Sequence, residues 1–304
     1  MAISRAQLVK ELEPGLNALF GLEYKRYDNQ HAEIYTNESS DRAFEEEVML
    51  SGFANANVKV EGSGVNYDQS QETYTARYTH DTIALAFAIT EEAIEDNLYD
   101  RISSRYTKAL ARSMSNAKQV KAAAPLNNGL PTADNFDSGD GVSLFNTSHT
   151  TVSGTSVKNT LTTQADLNET SLEQALIDIA AFTDERGLRV AAKGVKMIIP
   201  SANQFSAERL LKSQGRTGTA DNDINAVASM GMVPQGYRVN NFLTDSDSWY
   251  IITDVHNGMK MFTRAPLTTA MEGDFDTGNV RYKARERYSF GVSDFRGIFG
   301  VEGA

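Results

Sequence analysis

Arg281, Lys283, Arg285 and Arg287 occupy every second position of the stretch RYKARERY, near the C-terminus of a 304-residue chain whose formal charge is -11. Side chains of this type bind anions. A guanidinium clasps a carboxylate or phosphate through two parallel hydrogen bonds, and an ammonium acts as a point charge. Alternate side chains of an extended strand share a face. The spacing therefore predicts four cations on one side, with Tyr282, Ala284, Tyr288 and Phe290 on the other. The opposite charge is gathered near the other end of the chain, where Glu33, Glu38, Asp41, Glu45, Glu46 and Glu47 stand against the single Arg42. Glu45, Glu46 and Glu47 are candidate partners for the cationic row. Because both clusters are regular, pairing between subunits competes with two ordinary solvated faces.

No catalytic constellation accompanies them. His31, His80, His149 and His256 lie at no metal-ligand spacing from one another or from paired carboxylates, and each is expected to be a surface or hydrogen-bonded structural residue. The G-x-G of EGSGVN lacks the third glycine and following helix of a dinucleotide loop. Asp137, Asp140 and the DND at 221–223 lack the glycine and terminal glutamate of a calcium loop, so turns are expected there. The chain has no cysteine, which removes disulfides, thiolate metal sites and cysteine nucleophiles. The expectation is a protein that is not an enzyme and carries no cofactor or metal.

Hydrophobic residues make up 40% and charged residues 23% of the chain, enough for a substantial core in one large or two ordinary domains. The 40 acidic against 29 basic residues argue against a surface broadly wrapped by nucleic acid. The first 24 residues show no apolar signal region, and the longest apolar run, Ile83 to Ile89, is far short of the ~20 residues that span a bilayer. A soluble protein with no membrane partner is expected.

The elements that must position the charged rows can be read from periodicity. Leu8, Leu12, Leu16, Leu19 and Phe20 predict an amphipathic N-terminal arm, broken at Pro14 and Gly15. A strand at Asn57 to Glu61, turn residues at Gly62 to Gln71 and a long second strand through Ile89 predict a projecting hairpin. Its outer half is polar and its inner half apolar enough to enter a core. Glu91 to Ala124 has neither Gly nor Pro, and its apolar residues recur at three- or four-residue steps. With Thr90 as N-cap and Pro125 as stop, this predicts a rod of roughly 50 Å. Pro125 to Thr170 reads as a long ordered loop with short strands. An α/β rhythm follows. Helices are capped by Thr170 with Glu173 and by Ser201 with Gln204, the first closing at Gly187, and strands fall at GVKMIIP, YRVNNFL, SWYIIT and KMFTRAPL. Trp249 is expected in the core or an interface.

This order of arm, hairpin, very long helix, α/β region and C-terminal return strand resembles the major capsid proteins of tailed bacteriophages, Mu-like head subunits and their relatives among them. The stretches LVKELEPGLNALFGLEY, DGVSLFNTSHTTVSGTSVKNTL and VRYKARERYSFGVSDFRGIFGVEG are similar to the arm, the loop after the helix and the closing strands of that family. The resemblance implies an α+β Hong Kong 97-type fold. It would divide the chain into an N-terminal arm and start of the peripheral domain (1–50), a hairpin E-loop (51–89), the peripheral domain with spine helix and long loop (90–170), a mainly axial domain (171–262) and peripheral return strands (263–304). It also implies self-association into hexamers and pentamers of an icosahedral head, enclosing double-stranded DNA without sequence-specific binding, assembled in the host cytoplasm. The further partners implied are a scaffolding protein, a portal and decoration proteins. With about fifty residues before the hairpin, a scaffold that is either separate or already cleaved away is expected. In such shells the E-loop and arm of one subunit lie over the peripheral domain of a neighbour, so the basic strand would meet acidic groups of another chain. Within the same fold the alternative is an encapsulin-like nanocompartment. A tail-tube subunit shares the Thr- and Asn-rich strands but needs no helix of this length.

Overall fold

The computed structural model describes residues 5–90, 92–93, 99–131, 136–216, 223–274 and 277–304. Two four-stranded sheets organise them. In the first, β1 (Thr36–Ser39) runs parallel to β10 (Met259–Gly273), β10 pairs antiparallel with β11 (Val280–Val292), and β11 with β4 (Asp81–Ile89). One face of this sheet is covered by α1 (Arg5–Arg26) and α2 (Tyr99–Asn128). Leu16 and Phe20 of α1 meet Leu110, Ala111 and Met114 of α2 over Tyr282 and Ala284 of β11. A large apolar side chain fully buried here contributes about 1.5–3 kcal/mol.

Both prolines depart from expectation. Pro14 lies inside a continuous α1, so the predicted break is absent. Pro125 lies inside α2, which runs on to Asn128. An interior proline costs ~3 kcal/mol or more and removes the bond to the carbonyl four residues back. Here tertiary contacts hold the last turn. The Tyr35 hydroxyl donates to the Ala122 carbonyl at 2.6 Å and the Tyr250 hydroxyl to that of Leu126 at 3.3 Å. At the other end Thr90 Oγ1 accepts from Ala93 N at 3.4 Å, as a cap would. Residues 91 and 94–98 of the predicted rod lie outside the described residues.

The hairpin is also re-paired. Its arms are β2 (Phe44–Leu50) and β3 (Glu72–Thr79), and Asn57 to Glu61 forms no strand. Residues 51–71 bridge the arms. The predicted long second strand is two, β3 and β4, divided at the buried His80 and committed to different sheets. The burial is divided differently from that predicted: Ala76 and Tyr78 near the end of β3 are buried, and in β4 Ile89 is buried and Ile83 and Phe87 pack against the core, whereas Leu85 is exposed. Tyr78 packs against Phe262, which its partner strand alone would not supply.

The second sheet has the order β12-β9-β7-β8, with β7 (Gly194–Ile199), β8 (Tyr237–Val239), β9 (Trp249–Thr253) and β12 (Ile298–Val301). Trp249 is fully buried and its Nε1 donates to Ala165 O at 3.1 Å. Against this sheet packs α3 (Glu169–Ala180), through Leu172, Ala175 and Ile179. Its capping box is formed by Asn168 and Ser171, not Thr170 and Glu173. It ends at Ala180 and not at Gly187, which takes a positive φ in the turn from Asp184. Ser201 opens a short 3-10 turn, and the following helix, α4 (Gln204–Lys212), has no side-chain cap.

The loop between α2 and α3 is ordered around the fully buried Asn159. Its Nδ2 donates to the carbonyls of Leu144, Phe295 and Ile298, and its Oδ1 accepts from Asn146 N at 2.9 Å. Two short strands, β5 (His149–Thr150) and β6 (Ser156–Val157), pair within it. Beside them Arg296, buried at the end of the first sheet, holds Glu185 at 2.7 Å and Asp294 at 3.2 Å.

Candidate functional site

The alternation of β11 is realised as the sequence spacing demands. Arg281, Lys283 and Arg285 are exposed and Arg287 is half-buried, while Val280, Tyr282, Ala284, Glu286 and Tyr288 are buried toward the helices. The cationic row therefore lies on the sheet face turned away from α1 and α2. Residues opposite one another in an antiparallel ladder share a face. Lys283 stands between Ala86 and Ala270, and Arg285 between Ala84 and Thr268. Short neighbours on both sides leave the cations proud of a shallow surface, about 6.7 Å apart along the strand.

Not all four are free. Arg281 is paired with Asp274 of its own chain, and Arg287 donates to Ala43 O at 3.5 Å. Among the described residues Lys283 and Arg285 have no charged partner. The acidic row sits on β2, and its members are engaged within the chain. Glu45 accepts from Ser40 Oγ at 2.6 Å, Glu46 faces Arg77 across the ladder at 3.7 Å, and Glu47 meets Lys260 at 2.5 Å. No ion pair among the described residues joins the two rows in one subunit. The structure brings each row together on its own strand and leaves them to separate surfaces.

Beyond the far ends of β2 and β3, residues 51–71 carry exposed apolar side chains. Val58 is 94% and Tyr67 97% exposed, and Phe53, Val60 and Val65 are exposed as well. Asp68 accepts from Ala54 N at 2.7 Å and lies 3.7 Å from Arg186, which ties the base of the loop to the body.

Buried and half-buried polar groups that hold these surfaces in place leave no trace in local sequence. His80, at the division of β3 and β4, is 2.9 Å from both Ser40 Oγ and Ser289 Oγ. Burial and the nearby Arg287 and Arg264 push its pKa below the usual imidazole value, against an opposing pull from Glu45. It joins three segments of the chain. Lys118 of α2 donates to Glu286 of β11 at 3.3 Å, and burial raises the Glu286 pKa. His31 bonds Gln119 of α2, and burial with Lys118 nearby lowers its pKa to about 4. His149 is likewise structural, 2.6 Å from Asp140 and stacked on Phe295, whereas His256 is exposed. Residues 221–222 of the DND stretch lie outside the described residues. Among the described residues no group of three or more His, Asp or Glu side chains is placed to hold a metal ion, and no helix is long and apolar enough to cross a membrane.

The family model described as Phage capsid protein matches residues 73–301. No curated protein matches the sequence. Among solved structures, the chain is similar to the procapsid subunit of bacteriophage JBD30, at 14% identity and TM-score 0.55, over 99% of this chain and 77% of that one. It is similar to the capsid subunit of an empty GTA particle, at 15% identity and TM-score 0.54, over 91% of each chain. It is also similar to a virus-like particle from Pyrococcus furiosus, at 11% identity and TM-score 0.53, over 95% of this chain and 98% of that one. At these identities the likeness establishes the fold, which is the Hong Kong 97 type.

Proposed function

The chain belongs to the phage capsid protein family and is a structural capsid subunit, and from that premise we propose how it builds its shell. Copies associate as hexamers and pentamers that close an icosahedral head around double-stranded DNA, without sequence-specific contacts. Assembly takes place in the host cytoplasm, with scaffolding, portal and decoration proteins as further partners. The peripheral layer comprises the first sheet with α1 and α2. The hairpin with residues 51–71 is the projecting loop, and the second sheet is the axial layer, which β12 rejoins at the end of the chain.

The observation that carries this reading is the placement of two uncovered surfaces. One is the sheet face bearing Lys283 and Arg285, which have no charged partner among the described residues. The other is the exposed apolar and acidic segment 51–71. A monomer leaving both in water is incomplete, because contiguous apolar exposure of this kind marks an interaction surface. The loop of one copy lies over the sheet face of its neighbour. Glu45, Glu46 and Glu47 are held by Ser40, Arg77 and Lys260, so Glu61 and Glu72 are the carboxylates best placed to meet the row. The encapsulin-like alternative shares the fold. It is disfavoured by the family match over 73–301, which is to phage capsid proteins.

Negative-stain microscopy of the purified protein tests the proposal. Closed isometric particles are expected, and DNA-filled particles when the protein is made with its head genes. A protein that stays monomeric or forms only open tubes under all salt conditions would overturn it.

A further inference from the structure

The outer face of α2 is the mirror of the cationic strand. From Arg101 to Asn128 this helix contains no acidic residue, in a chain with an excess of 11 negative charges. Two of its cations are spent inside the subunit, Lys118 on Glu286 and Lys121 on Asp81. Arg105, Lys108 and Arg112 are not. All three are exposed, and among the described residues none makes an ion pair or side-chain hydrogen bond.

Their spacing of three and four residues places them along one stripe. Leu110, Ala111 and Met114 point the other way, into the core over Tyr282 and Ala284. The layer formed by α2 and β11 thus presents, on both of its outer faces, cations that have no charged partner among the described residues. The two faces differ in how many cations lack a charged partner among the described residues: Lys283 and Arg285 on the sheet, three on the helix. Around the helix cations Ala109 and Ser113 are exposed, with Asn116 beyond them. Tyr106 is half-exposed with its ring against Phe87, and Val120 lies two turns beyond the stripe. A protein partner would draw on a wider apolar patch than these two separated side chains offer. A phosphate backbone needs only accessible, unpaired cations at steps of several ångströms, with small side chains that let it approach.

We propose that Arg105, Lys108 and Arg112 form a docking stripe for the phosphate backbone of double-stranded DNA, engaged without regard to base sequence. The proposal rests on the shell reading in that α2 must then face the enclosed genome. Three contacts per subunit are individually weak, and the acidic remainder of the surface keeps DNA from being held elsewhere.

The test uses the purified full chain and a fluorescent DNA duplex, with affinity measured over a series of salt concentrations. Each neutralised phosphate contributes about 0.9 to the slope of log affinity against log salt. Arg105→Gln/Lys108→Gln/Arg112→Gln should lower that slope by about 2.7 and weaken binding at least tenfold at low salt. Arg105→Lys/Arg112→Lys should retain the slope, and Lys283→Gln/Arg285→Gln, on the opposite face, should leave DNA binding unchanged. Particle closure is scored separately by microscopy, and failure of the unsubstituted protein to close shells would count against the shell reading alone. The stripe proposal is overturned if the triple variant binds DNA with an unaltered slope. It is also overturned if that variant loses only particle closure, which would make the stripe a subunit contact. Loss of binding to polyglutamate but not to DNA would assign the stripe to an acidic protein instead. Circular dichroism and melting of each variant show whether α2 is intact, and the lysine variant still reads the charge dependence if the triple does not fold.

Discussion

Lys118 Nζ lies 3.3 Å from Glu286 Oε2, and this single ion pair ties the spine helix to the strand whose other face carries the cationic row. Glu286 is the only acidic residue in a strand containing Arg281, Lys283, Arg285 and Arg287, and it is the one that alternation turns inward. Removing it leaves an ammonium buried without its partner. Glu286→Ala should therefore destabilise the subunit by about 3–5 kcal/mol, whereas a paired apolar exchange, Lys118→Met/Glu286→Leu, should cost much less or nothing. Denaturant melts of the single and double variants check this. Equal losses in both would mean that the pair contributes through packing alone.

His31 makes stability depend on pH. Its folded pKa, about 4, lies below the ordinary 6.5. The neutral ring is thus favoured in the folded state, and its contribution is complete above pH 6.5 and lost as pH falls toward 4. Allowing for partial exposure, the loss is about 2 kcal/mol. Glu286, whose folded pKa is raised, acts in the opposite sense: its contribution is complete below the ordinary carboxylate pKa and is lost as pH rises through the folded value. The comparison is therefore between the wild type and His31→Gln, melted at pH 7 and pH 4.5. The wild type should lose more stability than the variant over that interval, and identical losses would contradict the assignment.

Asn159 should be intolerant of change. Its side chain satisfies three carbonyls and one backbone N–H with no exposure to water. An unsatisfied buried group costs about 1–3 kcal/mol. Asn159→Ala should destabilise by at least that amount and loosen residues 137–160, seen as faster amide exchange at Phe145 and Asn146. Protection unaltered from wild type would show that the loop is held by other contacts.

The cationic row is expected to act in assembly more than in folding. One exposed pair is worth only ~0–1 kcal/mol, so Arg285→Glu alone should be mild. Lys283→Glu/Arg285→Glu should melt within about 1 kcal/mol of wild type and yet form few closed particles, because the contact repeats at every subunit. Centrifugation through a sucrose gradient separates shells from free subunits. Normal shell yield from the double variant would remove the row from the interface.

Residues 51–71 should change state on assembly. Amides around Gly64 to Ser70 are expected to exchange rapidly in free subunits and slowly in shells, since Val58 and Tyr67 find no cover on their own chain. Exchange at the same rate in both states would place the loop in solvent throughout.

Much of the architecture follows from local pattern. The alternation of β11 depends only on the two-residue repeat of a strand, and it fixes which side chains face the helices before any partner is known. The helical repeat does the same for α2, and the apolar strands around Met197 and Trp249 follow from composition. These are short-range consequences of backbone geometry. Pairing is different. Glu45, Glu46 and Glu47 read as acids awaiting a distant partner, but Ser40, Arg77 and Lys260 take them, the last of these 213 residues away. Pro125 reads as a stop until Tyr35 and Tyr250 arrive from remote strands to hold the last turn. The long strand through His80 reads as one element until two different sheets compete for its halves. In each case the deciding energy comes from contacts between segments far apart in sequence, which no window of local text contains.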